Sequence, residues 1–234
     1  MIDSSLPAAG VRLRHRTILR NVYMWMTLGL SFTAIVAWWI SSSPGFMELL
    51  YGRGIAPVLL LSLGIVILVF SLSRNIMKMS VRGAIGAFLL YSVLNGLFCS
   101  FVFIVYTRYA VFQAFAVSAS MFAIMSLWAL TTKRDLSGWG HYLFMGLIGL
   151  IIAGAVGMFI GGEAYQFLYS AVGVVLFTAL TAYDTQMIKR MSDDASMGVD
   201  ESNFTRLSIL GALKLYLDFI NMFLFLLRLL GRRK

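Results

Sequence analysis

The chain is written in long apolar runs separated by short polar breaks. Seven of these runs approach the roughly 20 residues that an α-helix needs to cross the hydrocarbon core of a bilayer. They lie near 20–42, 56–77, 84–106, 110–132, 140–161, 165–187 and 212–231. The pattern predicts an all-α polytopic membrane protein of seven transmembrane helices, with a basic N-terminal arm over 1–19 and a membrane domain over 20–234. Tyr23, Trp25, Trp38, Trp39, Tyr51, Tyr106, Tyr109, Trp139 and Tyr142 cluster at the predicted ends, where interfacial aromatics belong.

Composition agrees with the pattern. Of 234 residues, 60% are hydrophobic and only 12% charged, whereas a soluble domain carries about 25% charged residues. The first long run follows Arg12, Arg14, Arg16 and Arg20 and is of full spanning length, so it reads as a retained signal-anchor. The lone Cys99 permits no intramolecular disulfide.

The net charge of +9 is explained by topology, and no nucleic-acid partner is expected. Bases gather in the N-terminal arm, in the 2–3 loop (Arg74, Lys78, Arg82), in the 4–5 loop (Lys133, Arg134) and around the 6–7 loop (Lys189, Arg190, Arg206, Lys214). The opposite loops hold only Arg53 and Arg108. By the positive-inside rule the N-terminus is cytoplasmic, in an inner membrane if the source is bacterial. The basic tail Arg232, Arg233 and Lys234 runs against the rule, and a crossing last span is still expected.

Glycines mark packing. Gly157-Met-Phe-Ile-Gly161 is a GxxxG, with Gly146, Gly149 and Gly154 in the same span. Small residues let helices approach closely in lipid. A packing face inside a monomer is expected, ahead of an oligomer contact.

Chemistry concentrates in two acids. Only Asp184 and Asp218 fall inside predicted spans. An acid at such depth costs about 2.5–3.5 kcal/mol on insertion scales, so it usually faces a protein interior or a water-filled path. Asn221 shares the helical face of Asp218. The last span is therefore read as the central helix, with the rest of the chain packed around its polar face. If it starts near Lys214, with 205–211 lying along the interface, Asp184 and Asp218 reach matching depth on consecutive helices. The bland alternative is that each acid caps a helix or pairs with a nearby base such as Arg74.

Two carboxylates held together out of water share a proton and titrate as a unit. Once that proton leaves, they offer up to four oxygens to a hard cation such as Ca²⁺, with water or backbone carbonyls completing the shell. The arrangement amounts to a proton-controlled cation gate that needs no cofactor beyond Ca²⁺ as permeant or bound ion.

Other chemistries fit less well. The acids of the 6–7 loop lack the ligands of a calcium-binding EF-hand at the third and twelfth positions, where Ala195 and Phe204 stand. Tyr183-Asp184 suits an intramembrane aspartyl protease, but no Gly-x-Gly precedes Asp218. His15, His141 and Cys99 have no metal-site or triad spacing, and no nucleotide-binding glycine motif is present. No enzyme is expected.

Three segments carry a resemblance: Tyr183-Asp184-Thr185-Gln186, Thr131-Thr-Lys-Arg-Asp-Leu-Ser-Gly138, and Leu215 through Gly231. They resemble the Bax inhibitor-1 family (transmembrane Bax inhibitor motif proteins), most closely its bacterial members. The resemblance implies seven helices with the last surrounded by the other six. It also implies a pH-sensitive calcium leak governed by an aspartate pair, which lands on Asp184 and Asp218. A family arginine that locks the closed state falls nearest Arg74. The other function it leaves open is a membrane-embedded regulator that restrains a membrane protease or another protein partner without transport.

Overall fold

The structure, a computed structural model, describes residues 8–52, 54, 56–195 and 200–231. Side chains of 8–17 and of 194–195 fall outside that description, as do Arg53 and the basic tail 232–234 on which part of the topology argument rests. Every long element is a helix, and among the described residues no strand forms. Seven helices are long and apolar enough to span a membrane. They are α1 (Ala8–Ser41), α2 (Ala56–Asn75), α3 (Val81–Cys99), α4 (Arg108–Thr131), α5 (Gly140–Ile160), α6 (Glu163–Ala195) and α7 (Glu201–Leu230).

Three helices are longer than their hydrophobic runs. α1 begins at Ala8, inside the stretch expected to be an arm, because residues 8–19 are rich in good helix formers and contain no proline. α6 continues past 187 to Ala195. α7 starts at Glu201, so 205–211 is an ordinary part of the helix and no separate interfacial segment exists. Ser208, Ile209, Ala212 and Leu213 are all buried there, which rewards helical continuation over lying flat.

The chain divides into two compact units. The first comprises Met1–Val105 with Met191–Leu213. Its tightest seam joins α1 to α3. A methyl group added at Gly29 would fall 2.7 Å from the Phe88 ring, and one at Gly96 would fall 2.7 Å from Val36. Only hydrogen at those two Cα atoms permits the approach. Thr33 Oγ1 spans the seam, donating to the Ser92 carbonyl at 2.8 Å. At the α2–α3 connection Ser80 caps α3, accepting from the Gly83 amide at 3.1 Å.

The second unit comprises Tyr106–Arg190 with Lys214–Lys234. Here α5 meets α6 through small-against-large contacts: Gly146 faces Leu176, Gly154 faces Tyr169 and Gly157 faces Tyr165. The GxxxG therefore serves packing within the chain, with Gly157 at the contact and Gly161 ending the helix. On α4, Phe115 and Phe122 set their ring edges against Phe219 of α7, with centroids 5.5 and 5.7 Å apart. Such pairs add about 0.5–1.5 kcal/mol beyond area burial.

Burial differs sharply among the seven. In α7, 67% of the most hydrophobic window is buried, against 6% in α2. α7 is the most covered span, as its polar face requires.

Candidate functional site

The site is built where α6 and α7 carry their intramembrane acids. Asp184 and Asp218 are buried, with 8% and 4% of their surfaces exposed. Between Asp184 and α7 stands a residue that the sequence reading used only as a marker of topology. Lys214 Nζ donates to Asp184 Oδ1 at 3.1 Å, an ion pair within the second unit. Lys214 precedes Asp218 by four residues, so the two share one face of α7. Asp218 lies within range of the charges of both Asp184 and Lys214. Its Oδ2 is buried without a hydrogen-bond partner.

Beside the expected pair of carboxylates, the structure adds one ammonium, held by Asp184 and carried on the face of α7 that bears Asp218. The base beside Asp184 is Lys214, and Arg74 stands exposed in the last turn of α2. Asn221 turns back on its own helix, its Nδ2 donating to the Leu217 carbonyl at 2.8 Å. Among the described residues no three His, Cys, Asp or Glu side chains cluster in a way that could hold a metal ion. A cation at the two acids would draw its remaining oxygens from water or carbonyls, as the donor count already required.

Depth follows from helix geometry. Asp184 lies about 17 Å from the end of α6 at Ala195, and Lys214 about 20 Å from the start of α7 at Glu201, at 1.5 Å per residue. The two residues meet because both helices extend, not because α7 starts late.

Next to Asp184, the chain ties α6 to the 4–5 loop. Thr185 Oγ1 and Ser126 Oγ of α4 lie 3.3 Å apart. Gln186 accepts from the Leu136 amide at 2.7 Å and donates to the Arg134 carbonyl at 2.8 Å, so one buried amide satisfies both sides of the loop backbone. One turn on, Lys189 Nζ donates to the Leu130 carbonyl at 2.8 Å and Arg190 pairs with Asp135. Asp135 also accepts from the Ser137 amide at 2.8 Å. That amide, the Ser137 hydroxyl and the Arg190 guanidinium hold its carboxyl down to about 2. Tyr183 completes the latch by packing over Gly140, where an added methyl would fall 2.5 Å from the phenol oxygen.

The latch joins two segments that stand 45 residues or more apart and were singled out separately for their resemblance, 131–138 and 183–186. Their contact gives that resemblance a structural reason. A family profile described as "Inhibitor of apoptosis-promoting Bax1" matches residues 15–234. The chain belongs to the Bax inhibitor-1 family. Within it, the chain is 46% identical over 228 residues to the "Inner membrane protein YbhL" of Escherichia coli K12, covering 97% of this chain and 95% of that one. An uncharacterized protein of Borreliella burgdorferi is 37% identical over 236 residues, covering 100% of this chain and 99% of the other. One from Deinococcus radiodurans is 40% identical over 215 residues, covering 92% and 90%. The acids, the lysine and the latch all lie inside the matched region of this Bax inhibitor-1 membrane protein.

The sequence singles out the two acids as candidates and gives Lys214 and Gln186 no role beside them. For Lys214 the signal was available: a base four residues before a buried acid on one helix. Gln186 gives no comparable signal, since an uncharged amide barely alters the hydropathy of its segment.

Proposed function

We propose that this protein is a pH-sensitive cation leak, with calcium as the permeant ion, gated by Asp184 and Asp218 in the inner membrane of a bacterium. The observation that carries the reading is the buried, partnerless Oδ2 of Asp218 beside the Asp184–Lys214 ion pair. A buried carboxylate oxygen with no partner is costly in a finished structural ion pair and natural in a site that exchanges protons or ions.

Charge arithmetic gives the gate. With one proton on the two carboxylates and Lys214 charged, the triad is neutral and suits a closed, water-poor helix contact. With that proton gone, the triad carries one net negative charge in a low-dielectric setting. Such a site draws in water or a cation and loosens α7 against α6. Acidification restores the proton and closes the contact. The N-terminus faces the cytoplasm on this reading, supported by the uneven distribution of bases among the loops. The resemblance assigns a locking role to an arginine, for which Arg74 is the residue to test. No catalytic step is assigned to the acids.

Flux into dye-loaded liposomes between about pH 6 and about pH 8 tests the proposal, with Asp218→Asn as the comparison. Calcium entry through the wild type rises with pH. The asparagine copies the protonated acid without its titration, so that variant has a flat profile. A second reading is favoured by one observation: the Lys214–Asp184 pair is also what a purely structural buried ion pair shows. On that reading the protein restrains a membrane partner and does not conduct. Flux no greater than in protein-free liposomes at every pH decides for the regulator.

A further inference from the structure

Lys214 brings a cation of its own to the place where a permeant cation would bind. Its ammonium sits 3.1 Å from Asp184 Oδ1, and its helix presents Asp218 on the same face. Among the described residues, the charged groups bearing on the two acids are each other and Lys214 of α7. The lysine side chain keeps 37% of its surface exposed, while the acid it holds is buried. A flexible four-carbon stem that the protein leaves partly uncovered can swing its ammonium away without disturbing α7.

We propose that Lys214 is a tethered competitor cation that sets the preference of the Asp184–Asp218 site for divalent over monovalent ions. The proposal rests on the cation-leak reading above and adds a residue and a selectivity rule to it. A tethered ammonium acts at a high effective concentration, so a free monovalent ion, bringing the same single charge, competes poorly. A divalent ion brings twice the charge to two carboxylates and can displace the lysine. The side chain that closes the site thereby filters what opens it.

The test uses the full-length protein in detergent micelles and in liposomes, with Ca²⁺ and Na⁺ as probes. Equilibrium dialysis of ⁴⁵Ca²⁺ against wild type, Lys214→Met, Lys214→Arg and the double variant Lys214→Met with Asp184→Asn gives binding without requiring transport. Lys214→Met binds Ca²⁺ about tenfold or more tighter than wild type, and Na⁺ competes measurably only in that variant. Lys214→Arg retains the charge and stays close to wild type, and the double variant loses the gain. Equal affinity in Lys214→Met and wild type overturns the proposal, and so does a gain that survives Asp184→Asn. Where Lys214→Met does not fold, Lys214→Gln with thermal melting replaces it. Calcium then raises the melting temperature of the variant more than that of wild type, and equal shifts overturn the proposal. A binding gain without flux in any variant sinks the leak reading and leaves this one standing. A leaking wild type with no binding gain in Lys214→Met does the reverse.

Discussion

α2 and α7 are both long apolar helices, and they solve opposite problems. α2 carries no charge between Ala56 and Ser73, and Leu72 is its one fully buried residue among those described. Leu59, Leu60, Leu63, Val66, Ile67 and Phe70 all face outward. α7 carries Lys214 and Asp218 within its apolar run, and most of that run is covered by protein. In water the more hydrophobic helix would be the more buried. In lipid the order inverts, because acyl chains receive Leu and Phe as well as a protein core does. Polar side chains are what must be covered.

A charge placed on the open face of α2 tests this inversion most directly. Leu63→Lys puts an ammonium midway along a lipid-facing surface with no partner, at a cost of about 2.5–3.5 kcal/mol. The expected outcome is poor membrane insertion and a much lower melting temperature in detergent. An unaltered yield and melting temperature would mean that this face is covered after all.

Gln186→Ala sharpens the comparison at the polar end of α6. It removes two hydrogen bonds to the loop backbone and leaves a buried Leu136 amide without its partner, costing about 1–3 kcal/mol. Melting falls by a smaller amount than for Leu63→Lys, and amide exchange in residues 134–136 speeds up. Gln186→Glu retains an acceptor for Leu136 and loses the donor to Arg134, so its melting temperature falls between those of wild type and Gln186→Ala.

The smallest effect belongs to Asp135→Asn. Asp135 is fully exposed and its carboxyl is held down to about 2, chiefly by the Ser137 amide. A depressed carboxylate stabilises the fold above its unfolded value of about 3.9 and loses that contribution as pH falls toward about 2. Between pH 6 and pH 8 the contribution is constant. Asp135→Asn therefore lowers stability slightly at neutral pH, has no effect once the pH has fallen below about 2, and leaves the shape of the neutral pH–flux profile unchanged. A changed profile would move the pH sensor from the buried acids to the latch.

Much of this architecture was legible in the chain, for a physical reason. A bilayer demands about 20 apolar residues per crossing, so the spans announce themselves. Asp184 and Asp218 stood out because an acid inside such a run has few innocent explanations. What lay beyond the hydrocarbon did not announce itself. Residues 8–19, 188–195 and 201–211 are mixed in character, and their helicity depends on neighbours that hydropathy does not record. That blind spot hid Lys214: assigned to the start of a span, a lysine is a topology signal. Placed about 20 Å along a longer helix, it is part of the site.

The length of α6 has a mechanical consequence. Its 33 residues extend about 50 Å, while the hydrocarbon of a bilayer is about 30 Å thick. The helix is therefore about 20 Å longer than the hydrocarbon is thick, and Asp184 sits about 17 Å from its tip. A rod anchored in a membrane and gripped at its outer segment works as a lever. A tilt of about 10° displaces a tip 20 Å from the fulcrum by about 3 Å, comparable to the Lys214–Asp184 separation. Whatever pulls on the tip, whether a bound protein or bilayer tension, exerts torque on the ion pair.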